Sequence, residues 1–291
     1  MTDQAARLRQ LAMAGKKAPE PLAGGKAIFM AVASGKGGVG KTSLVANLGC
    51  ALSKRGRKVL ALDADFGLAN LDIILNLGPG KNLGHFLKGE ATAEDIVKEA
   101  APGFSVLPGA SGIDGLADMD SSDRQRIVSG LSVLSGRFDY VLIDVAAGIG
   151  RNVIELCLAA NDVLLVTDPQ PTSLTDAYGL AKILMGRSPG IDLRVVVNSV
   201  KSAEEGRAVY AKLNEVVKRF LKRELEYAGH IARDDFVSKA TSRQEPFVSA
   251  YPRSAAAKCV EELADGILDR KGGRAGNQAF WSKLGERESV R

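Results

Sequence analysis

The chain alternates short apolar runs with longer stretches in which apolar residues recur at every third or fourth position. The short runs lack polar alternation, which is typical of strands buried on both faces of a parallel sheet. The longer stretches have the spacing of helices that bury one side. We predict strands at 27–33, 58–62, 104–107, 140–143, 162–166, 193–197 and 227–231. We predict helices at 41–54, 93–100, 122–135, 151–160, 173–186, 203–223 and 253–270.

The alternation of strands with helices predicts an α/β fold class: a doubly wound, mostly parallel sheet of about seven or eight strands with helices on both faces. We predict one domain over 26–270, preceded by a flexible arm at 1–25 and followed by a tail at 271–291. In the tail, Phe280 and Trp281 lie beside basic residues, which is typical of a short amphipathic element at a membrane interface. Packing of these two rings against the domain is the alternative.

A glycine-rich turn, Ser-Gly-Lys-Gly-Gly-Val-Gly-Lys-Thr at 34–42, joins the first predicted strand to the first predicted helix. This context suits a phosphate-binding loop, because inward-facing backbone N–H groups and a helix N-terminus both attract anions. The turn satisfies both the dinucleotide pattern GxGxxG and the triphosphate pattern GxxxxGK[ST]. Only the triphosphate pattern gives a role to Lys41, which reaches the phosphates, and to Thr42, which binds Mg²⁺. The predicted nucleotide-binding residues are Gly35, Lys36, Gly37, Gly38, Val39, Gly40, Lys41, Thr42 and Ser43.

Three carboxylates follow predicted strands and are candidates for metal binding and hydrolysis. Asp144 ends an apolar strand, where the acid that holds Mg²⁺ through water is expected. Asp63 and Asp65 follow another strand and, being two residues apart, point to the same side. We predict that Thr42, Asp63 and Asp144 form the metal site, with Asp63 acting through water. Asp65 is predicted to orient or deprotonate the attacking water. A solvated acidic pair is the alternative for Asp63 and Asp65.

A second lysine, Lys36, lies inside the glycine turn ahead of Lys41. A single subunit can hardly aim both lysines at the same phosphates. Lys36 is therefore predicted to reach a nucleotide held by a second subunit, so that two triphosphates lie between the copies of a homodimer. Lys36, Lys41 and Asp65 are the predicted catalytic residues.

Composition restricts the class of protein. The chain has 291 residues, of which 45% are hydrophobic and 25% charged, as in soluble globular proteins. No apolar run approaches the roughly 18 residues that span a bilayer, and no apolar leader follows the first residues, so we expect a cytoplasmic protein. The three cysteines are far apart, which argues against a disulfide framework or a zinc site. The excess positive charge lies at the two ends, so no domain-wide nucleic-acid surface is predicted.

Three segments resemble motifs of the MinD/ParA class of P-loop ATPases. Residues 36–42 match its deviant Walker A motif, 63–72 resemble switch I of the MinD branch, and 144–148 resemble switch II, with Ala146 where proline is usual. The resemblance covers about residues 26–266. It implies a MinD-like P-loop fold (SIMIBI type), ATP, ADP and Mg²⁺ as cofactors, slow hydrolysis of ATP to ADP and phosphate, and an ATP-dependent homodimer.

Within this class, the chain resembles the flagellar-number regulators of the FlhG (FleN) family. The residues from Asp3 to Arg9 match the DQAxxLR motif, and 171–178 and 229–235 are similar to other family segments. The resemblance implies that the arm stimulates the signal-recognition-type GTPase FlhF. It implies a membrane-associated ATP dimer with a C-terminal amphipathic helix. It also implies that Asn198 reads adenine and that Ala232, where the family usually has proline, contacts the cofactor. Loop capping is the alternative for Asn198.

We therefore predict an ATPase switch that regulates flagellar number or placement. It would cycle between a cytoplasmic ADP monomer and an ATP dimer at the inner face of the cell membrane. Predicted partners are a second copy, FlhF, flagellar C-ring proteins or a flagellar transcription regulator, and an anionic membrane surface. The alternatives are a ParA-like ATPase for DNA or protein-cargo partitioning, a MinD-type regulator of the division site, and a nonenzymatic dinucleotide-binding module.

Overall fold

The computed structural model describes residues 27–65, 69–109, 121–270 and 277–285, and the predicted arm at 1–25 lies outside these residues. The strands are β1 (Ile28–Ala33), β2 (Val59–Ala64), β3 (Lys98–Ala101), β4 (Phe104–Leu107), β5 (Tyr140–Val145), β6 (Asp162–Thr167), β7 (Leu193–Val200) and β8 (Glu226–Ala232). The helices are α1 (Lys41–Lys54), α2 (Leu71–Ile74), α3 (Leu83–Leu87), α4 (Ser121–Ser135), α5 (Arg151–Ala159), α6 (Pro171–Arg187), α7 (Ala203–Leu221), α8 (Asp235–Ser242), α9 (Phe247–Ala250), α10 (Ala255–Leu268) and α11 (Asn277–Gly285).

The strands form one sheet in the order β3-β4-β2-β5-β1-β6-β7-β8. Every neighbouring pair is parallel except β3 with β4, so the predicted mostly parallel sheet is confirmed. From β1, the chain first builds one half of the sheet and later crosses to the other side at β6. Such a switch point opens a crevice beyond the carboxyl ends of the strands. The glycine turn follows β1 and therefore lies in this crevice.

Helices cover both faces of the sheet, as the doubly wound prediction requires. One apolar core packs beneath α3, α4, α5, α6, α7 and α11, and the other beneath α1, α2, α8, α9 and α10. The central strand β1 supplies both cores because successive side chains of a strand point to opposite faces. Phe29 and Ala31 join the first core, whereas Met30 and Val32 join the second.

The predicted helix at 93–100 is wrong. Residues Lys98–Ala101 instead form β3, which pairs antiparallel with β4 through the turn at Pro102 and Gly103. Gly103 has a φ of 78°, a left-handed conformation that glycine adopts without a steric cost. The apolar Ala93 and Ile96 are buried and gave this segment its helical spacing. The seven predicted strands and the other six predicted helices are present with small shifts at their ends.

The tail packs against the domain, which is the alternative for its aromatic side chains, and the predicted membrane contact stays a prediction. Phe280 and Trp281 belong to α11 and are buried against the domain. Phe280 stacks on Phe29 with ring centroids 4.1 Å apart. The Trp281 indole N–H donates a hydrogen bond to Ser135 Oγ at 3.0 Å. Arg124 donates to the carbonyl oxygen of Leu284 at 3.2 Å, which holds the end of α11. Within the described part of the chain, no helix has the length and apolarity to cross a bilayer.

We expect Phe280→Ala to weaken the docking of α11, because truncating a buried phenylalanine costs about 3–5 kcal/mol. Trp281 is the only tryptophan of the chain and reports directly on this docking. The expected result is tryptophan emission at longer wavelength together with a lower melting temperature. Ser282→Ala, at an exposed position of the same helix, is the matched control. Unchanged emission from Phe280→Ala would contradict the observed packing.

Candidate nucleotide site

The glycine turn between β1 and α1 is shaped by two close approaches. Gly40 has a φ of 92°, and a Cβ atom there would lie 2.3 Å from Asn198 Nδ2. A Cβ atom on Gly35 would lie 2.2 Å from the carbonyl oxygen of Asp176, so the turn rests directly on the backbone of α6. The N-cap of α1, Gly40, brings no side-chain capping bond to the helix. The first N–H groups of α1 are thus free of a side-chain cap, as anion binding requires.

Lys41 lies inside its own subunit. Its side chain is buried, and Nζ donates a hydrogen bond to Ser34 Oγ at 3.0 Å. The Ser34 hydroxyl in turn donates to the carbonyl oxygen of Lys36 at 2.6 Å. Burial lowers the pKa of Lys41, while the nearby carboxylates of Asp144 and Asp65 raise it. A buried ammonium beside the N-terminus of α1 is suited to receive phosphate oxygens.

Two buried carboxylates, Asp63 and Asp144, lie side by side on β2 and β5, where they are register partners. Burial is the largest cause that raises the pKa of Asp144, and a hydrogen bond with Thr42 opposes it. Within the described residues, Asp144 Oδ1 is buried without a hydrogen-bond partner. An unpaired carboxylate oxygen next to a threonine hydroxyl fits the water-mediated or direct coordination of Mg²⁺, which prefers oxygen ligands. Thr42 and Asp144 are therefore placed together as predicted.

Unlike Asp144, Asp63 accepts hydrogen bonds from the backbone with both carboxylate oxygens. Asp63 Oδ1 accepts the N–H of Asp65 at 3.2 Å, and Oδ2 accepts the N–H groups of Asn70 and Leu71, each at 3.0 Å. Burial raises the pKa of Asp63 to about 6, although these three backbone bonds lower it. Asp63 thus anchors both ends of the segment between β2 and α2. Its predicted contribution to metal binding stays a prediction.

Asp65 and the segment after β5 flank the glycine turn. The carboxylate of Asp65 is close enough to raise the pKa of both Lys41 and Asp144. Residues 66–68 of the predicted switch I lie outside the described residues. In the predicted switch II, the N–H of Gly148 donates to the carbonyl oxygen of Ser34 at 2.9 Å. The three segments that the sequence assigns to the nucleotide therefore meet at one edge of the sheet.

Lys36 binds partners different from those of Lys41. Its Nζ donates to Gln170 Oε1 and to Thr172 Oγ1, both at 3.0 Å. Gln170 is the N-cap of α6, and Thr172 lies in the first turn of that helix. The two lysines of the glycine turn are therefore directed to different places, and the predicted contact of Lys36 with the nucleotide of a second copy stays a prediction.

Asn198, at the end of β7, contacts the glycine turn. Its Nδ2 donates to the carbonyl oxygen of Val39 at 2.7 Å, and its Oδ1 accepts the N–H of Ser199 at 2.8 Å. These bonds give Asn198 the loop-capping role, and adenine reading stays a prediction. Ala232 ends β8 opposite Val200 and is half-buried. Its predicted cofactor contact likewise stays a prediction.

Sequence reasoning missed three polar residues around the loop: Ser34, Gln170 and Thr172. Ser34 links the two lysines, and the other two hold Lys36. A signal for the last two was present. Gln170 and Thr172 follow β6, and polar residues beyond the carboxyl ends of parallel strands commonly line binding crevices.

Comparison with known proteins places the chain in a family. Residues 30–247 match the model of the CobQ/CobB/MinD/ParA nucleotide binding domain. The chain belongs to this family. It is 39% identical over 239 residues to the antiactivator FleN of Pseudomonas aeruginosa, covering 82% of this chain and 85% of that protein. It is 36% identical over 249 residues to the flagellum site-determining protein YlxH of Helicobacter pylori, covering 85% and 83%.

The fold is also similar to solved structures of the family. The septum site-determining protein MinD of Pyrococcus horikoshii, complexed with Mg-ADP, superposes with a TM-score of 0.70 at 27% identity, covering 86% of this chain and 99% of that one. That family member binds Mg-ADP. The oxygen and ammonium groups assembled here are of the kinds that bind Mg²⁺ and phosphate. The similarity to FleN and YlxH confirms the FlhG-like resemblance of the sequence.

Proposed function

We propose that this protein is an ATPase that couples ATP binding to dimerisation and thereby regulates flagellar number or placement. The observation that carries the proposal is the separation of its two loop lysines. Lys41 is buried in its own site, whereas Lys36 lies outside that site on the edge of α6. The flagellar role is supported by the similarity to FleN and YlxH along most of the chain.

The residues of one subunit divide the work of hydrolysis. The N–H groups of the glycine turn and Lys41 would bind the phosphates, and Thr42 with Asp144 would hold Mg²⁺, which neutralises charge on the phosphates. Asp65 would orient or deprotonate the attacking water at the same edge. Lys36 would contact the nucleotide of the second copy. Hydrolysis to ADP and phosphate would remove this contact and let the two copies separate.

The edge that carries the nucleotide site also exposes two large apolar side chains. Ile73 in α2 and Ile149 after β5 are 53% and 56% exposed. Both lie on segments that follow strands at the carboxyl edge of the sheet. Burying them between copies would add apolar contact to the proposed dimer.

The proposal is tested by sizing the purified full chain with ATP, a nonhydrolysable ATP analogue, ADP or NAD, each with Mg²⁺. We expect dimers with the analogue and with ATP, and monomers with ADP. NAD should neither dimerise nor thermally protect the protein, because Lys41 and Thr42 suit the loop to a triphosphate with Mg²⁺ and not to a dinucleotide. Equal hydrodynamic size with the analogue and with ADP would exclude the switch.

We further propose that the N-terminal arm stimulates an FlhF-type GTPase. The arm lies outside the described residues, and the proposal rests on its DQAxxLR motif. Deleting residues 1–12 is expected to leave basal ATPase activity within about twofold, because the described site lies wholly in 27–270. The deletion should abolish stimulation of the partner GTPase, measured as GTP turnover. Full stimulation by the shortened chain would exclude the arm.

Further partners fit the same proposal. Flagellar C-ring proteins or a flagellar transcription regulator would couple the ATP dimer to assembly or gene control. Association of the dimer with the inner face of the cell membrane stays a prediction. In the described conformation Phe280, Trp281 and Leu284 are buried and cannot contact lipid.

A further inference from the structure

The ammonium of Lys36 is hydrogen-bonded to two side chains of its own subunit. Nζ donates to Gln170 Oε1 and Thr172 Oγ1, both at 3.0 Å, across more than 130 residues of sequence. The neighbouring Gly35 leaves no room for a Cβ atom against Asp176, which fixes the glycine turn on α6. The N–H of Gln170 donates to Asp168 Oδ1 at 2.9 Å, so the acceptor residue is itself oriented.

The hydrogen bonds that hold Lys36 are weaker than those it would form with a phosphate. Both side-chain acceptors are neutral oxygens, and both residues are exposed. Hydrogen bonds of an ammonium to a neutral acceptor are weaker than those to a phosphate. The contact also lies at the N-terminus of α6, a helix of 17 residues, where the helix dipole disfavours a cation. Gln170 and Thr172 therefore hold Lys36 only until a stronger anionic partner arrives.

We propose that Gln170 and Thr172 are positioning residues that retain Lys36 on its own subunit and so set the triphosphate concentration at which two copies associate. This inference rests on the proposed function, in which Lys36 contacts the nucleotide of the other copy. A chain whose Lys36 is retained is not competent to bind across the dimer. The apparent affinity for association is then reduced by the fraction of chains that are competent.

Two changes move the retained fraction in opposite directions. Gln170→Leu with Thr172→Val removes both acceptors at similar side-chain size. Gln170→Glu replaces a neutral acceptor by a carboxylate, which holds the ammonium more strongly and also favours the helix N-terminus. Thr175→Val is the matched control, because the Thr175 hydroxyl lies in the same helix and bonds to the carbonyl oxygen of Pro171 instead of Lys36.

The experiment titrates each full-length variant with the nonhydrolysable ATP analogue and Mg²⁺, and measures dimer by light scattering and nucleotide affinity of dilute monomer by fluorescence. The double variant is expected to dimerise at about three- to fivefold lower analogue concentration. Gln170→Glu should need about tenfold more, and the difference should shrink with added salt. The nucleotide affinity of the monomer should stay unchanged in the double variant, in Gln170→Glu and in Thr175→Val, which a merely structural role would not predict.

An unchanged or raised threshold in the double variant would overturn the proposal, as would an unchanged threshold in Gln170→Glu. Failure of the proposed function has a different signature. If Lys36→Ala still dimerises with the analogue, the contact across the dimer is absent and the function itself is wrong. If Lys36→Ala is monomeric while the double variant behaves as wild type, only the retention of Lys36 is excluded.

Discussion

Replacing Lys36 by alanine is expected to abolish ATP-dependent dimers while leaving nucleotide binding by the single chain nearly intact. Each copy would lose one ammonium–phosphate contact, and the symmetric dimer would lose two. A hydrogen bond to a charged group contributes about 1.5–3 kcal/mol, so the two together predict roughly 10²- to 10⁴-fold weaker association. Lys41, buried on Ser34, would still bind the phosphates of its own subunit.

Light scattering during size-exclusion chromatography with the nonhydrolysable analogue measures this loss. Lys182→Ala, at an exposed position further along α6, controls for the removal of one positive charge. Fluorescence titration of the monomer separates nucleotide binding from association. A Lys36→Ala protein that still forms dimers at wild-type analogue concentrations would show that Lys36 does not act between subunits.

Replacing Asp65 by alanine is expected to give the opposite result, a dimer that persists in ATP. General-base assistance contributes about 10²- to 10⁴-fold to a rate, so phosphate release should slow by that order. Binding should survive, because Lys41 and the glycine turn remain. Loss of a carboxylate near Lys41 and Asp144 also lessens repulsion toward the phosphates.

Phosphate release and dimer lifetime in ATP are the two measurements for Asp65→Ala. Asp72→Ala is the matched control, because Asp72 follows the same strand and its carboxylate accepts the N–H of its neighbour Ile73 at 2.9 Å. Normal turnover in Asp65→Ala would remove Asp65 from the reaction and leave water activation to another group.

The sequence predicted those features whose causes are local. Lys41 and Thr42 distinguish a triphosphate loop from a dinucleotide loop by residue type alone, and the apolar run before Asp144 identifies a buried strand. The hairpin of β3 and β4 was missed because Ala93 and Ile96 have helical spacing although they face the core from a turn. Short segments leave the two periodicities unresolved.

Contacts between distant segments could not be predicted from the pattern. Nothing in the residues around Asp63 indicates that its carboxylate accepts three backbone N–H groups, since this depends on how the following segment folds back. The bonds from Lys36 to α6 likewise depend on the packing of two halves of the sheet. The burial of Phe280 needed a partner, Phe29, that lies at the other end of the chain.

That last pairing has a practical consequence for shortened forms of this protein. Phe29 belongs to the strand that leads into the glycine turn, so a chain cut at residue 270 would bare an aromatic side chain five residues before Ser34. Ser135 would also lose the indole that bonds to it. Such a truncated protein would be prone to aggregate and to adsorb to surfaces. Point changes on the outer side of α11 are therefore the sounder way to ask what the last residues do.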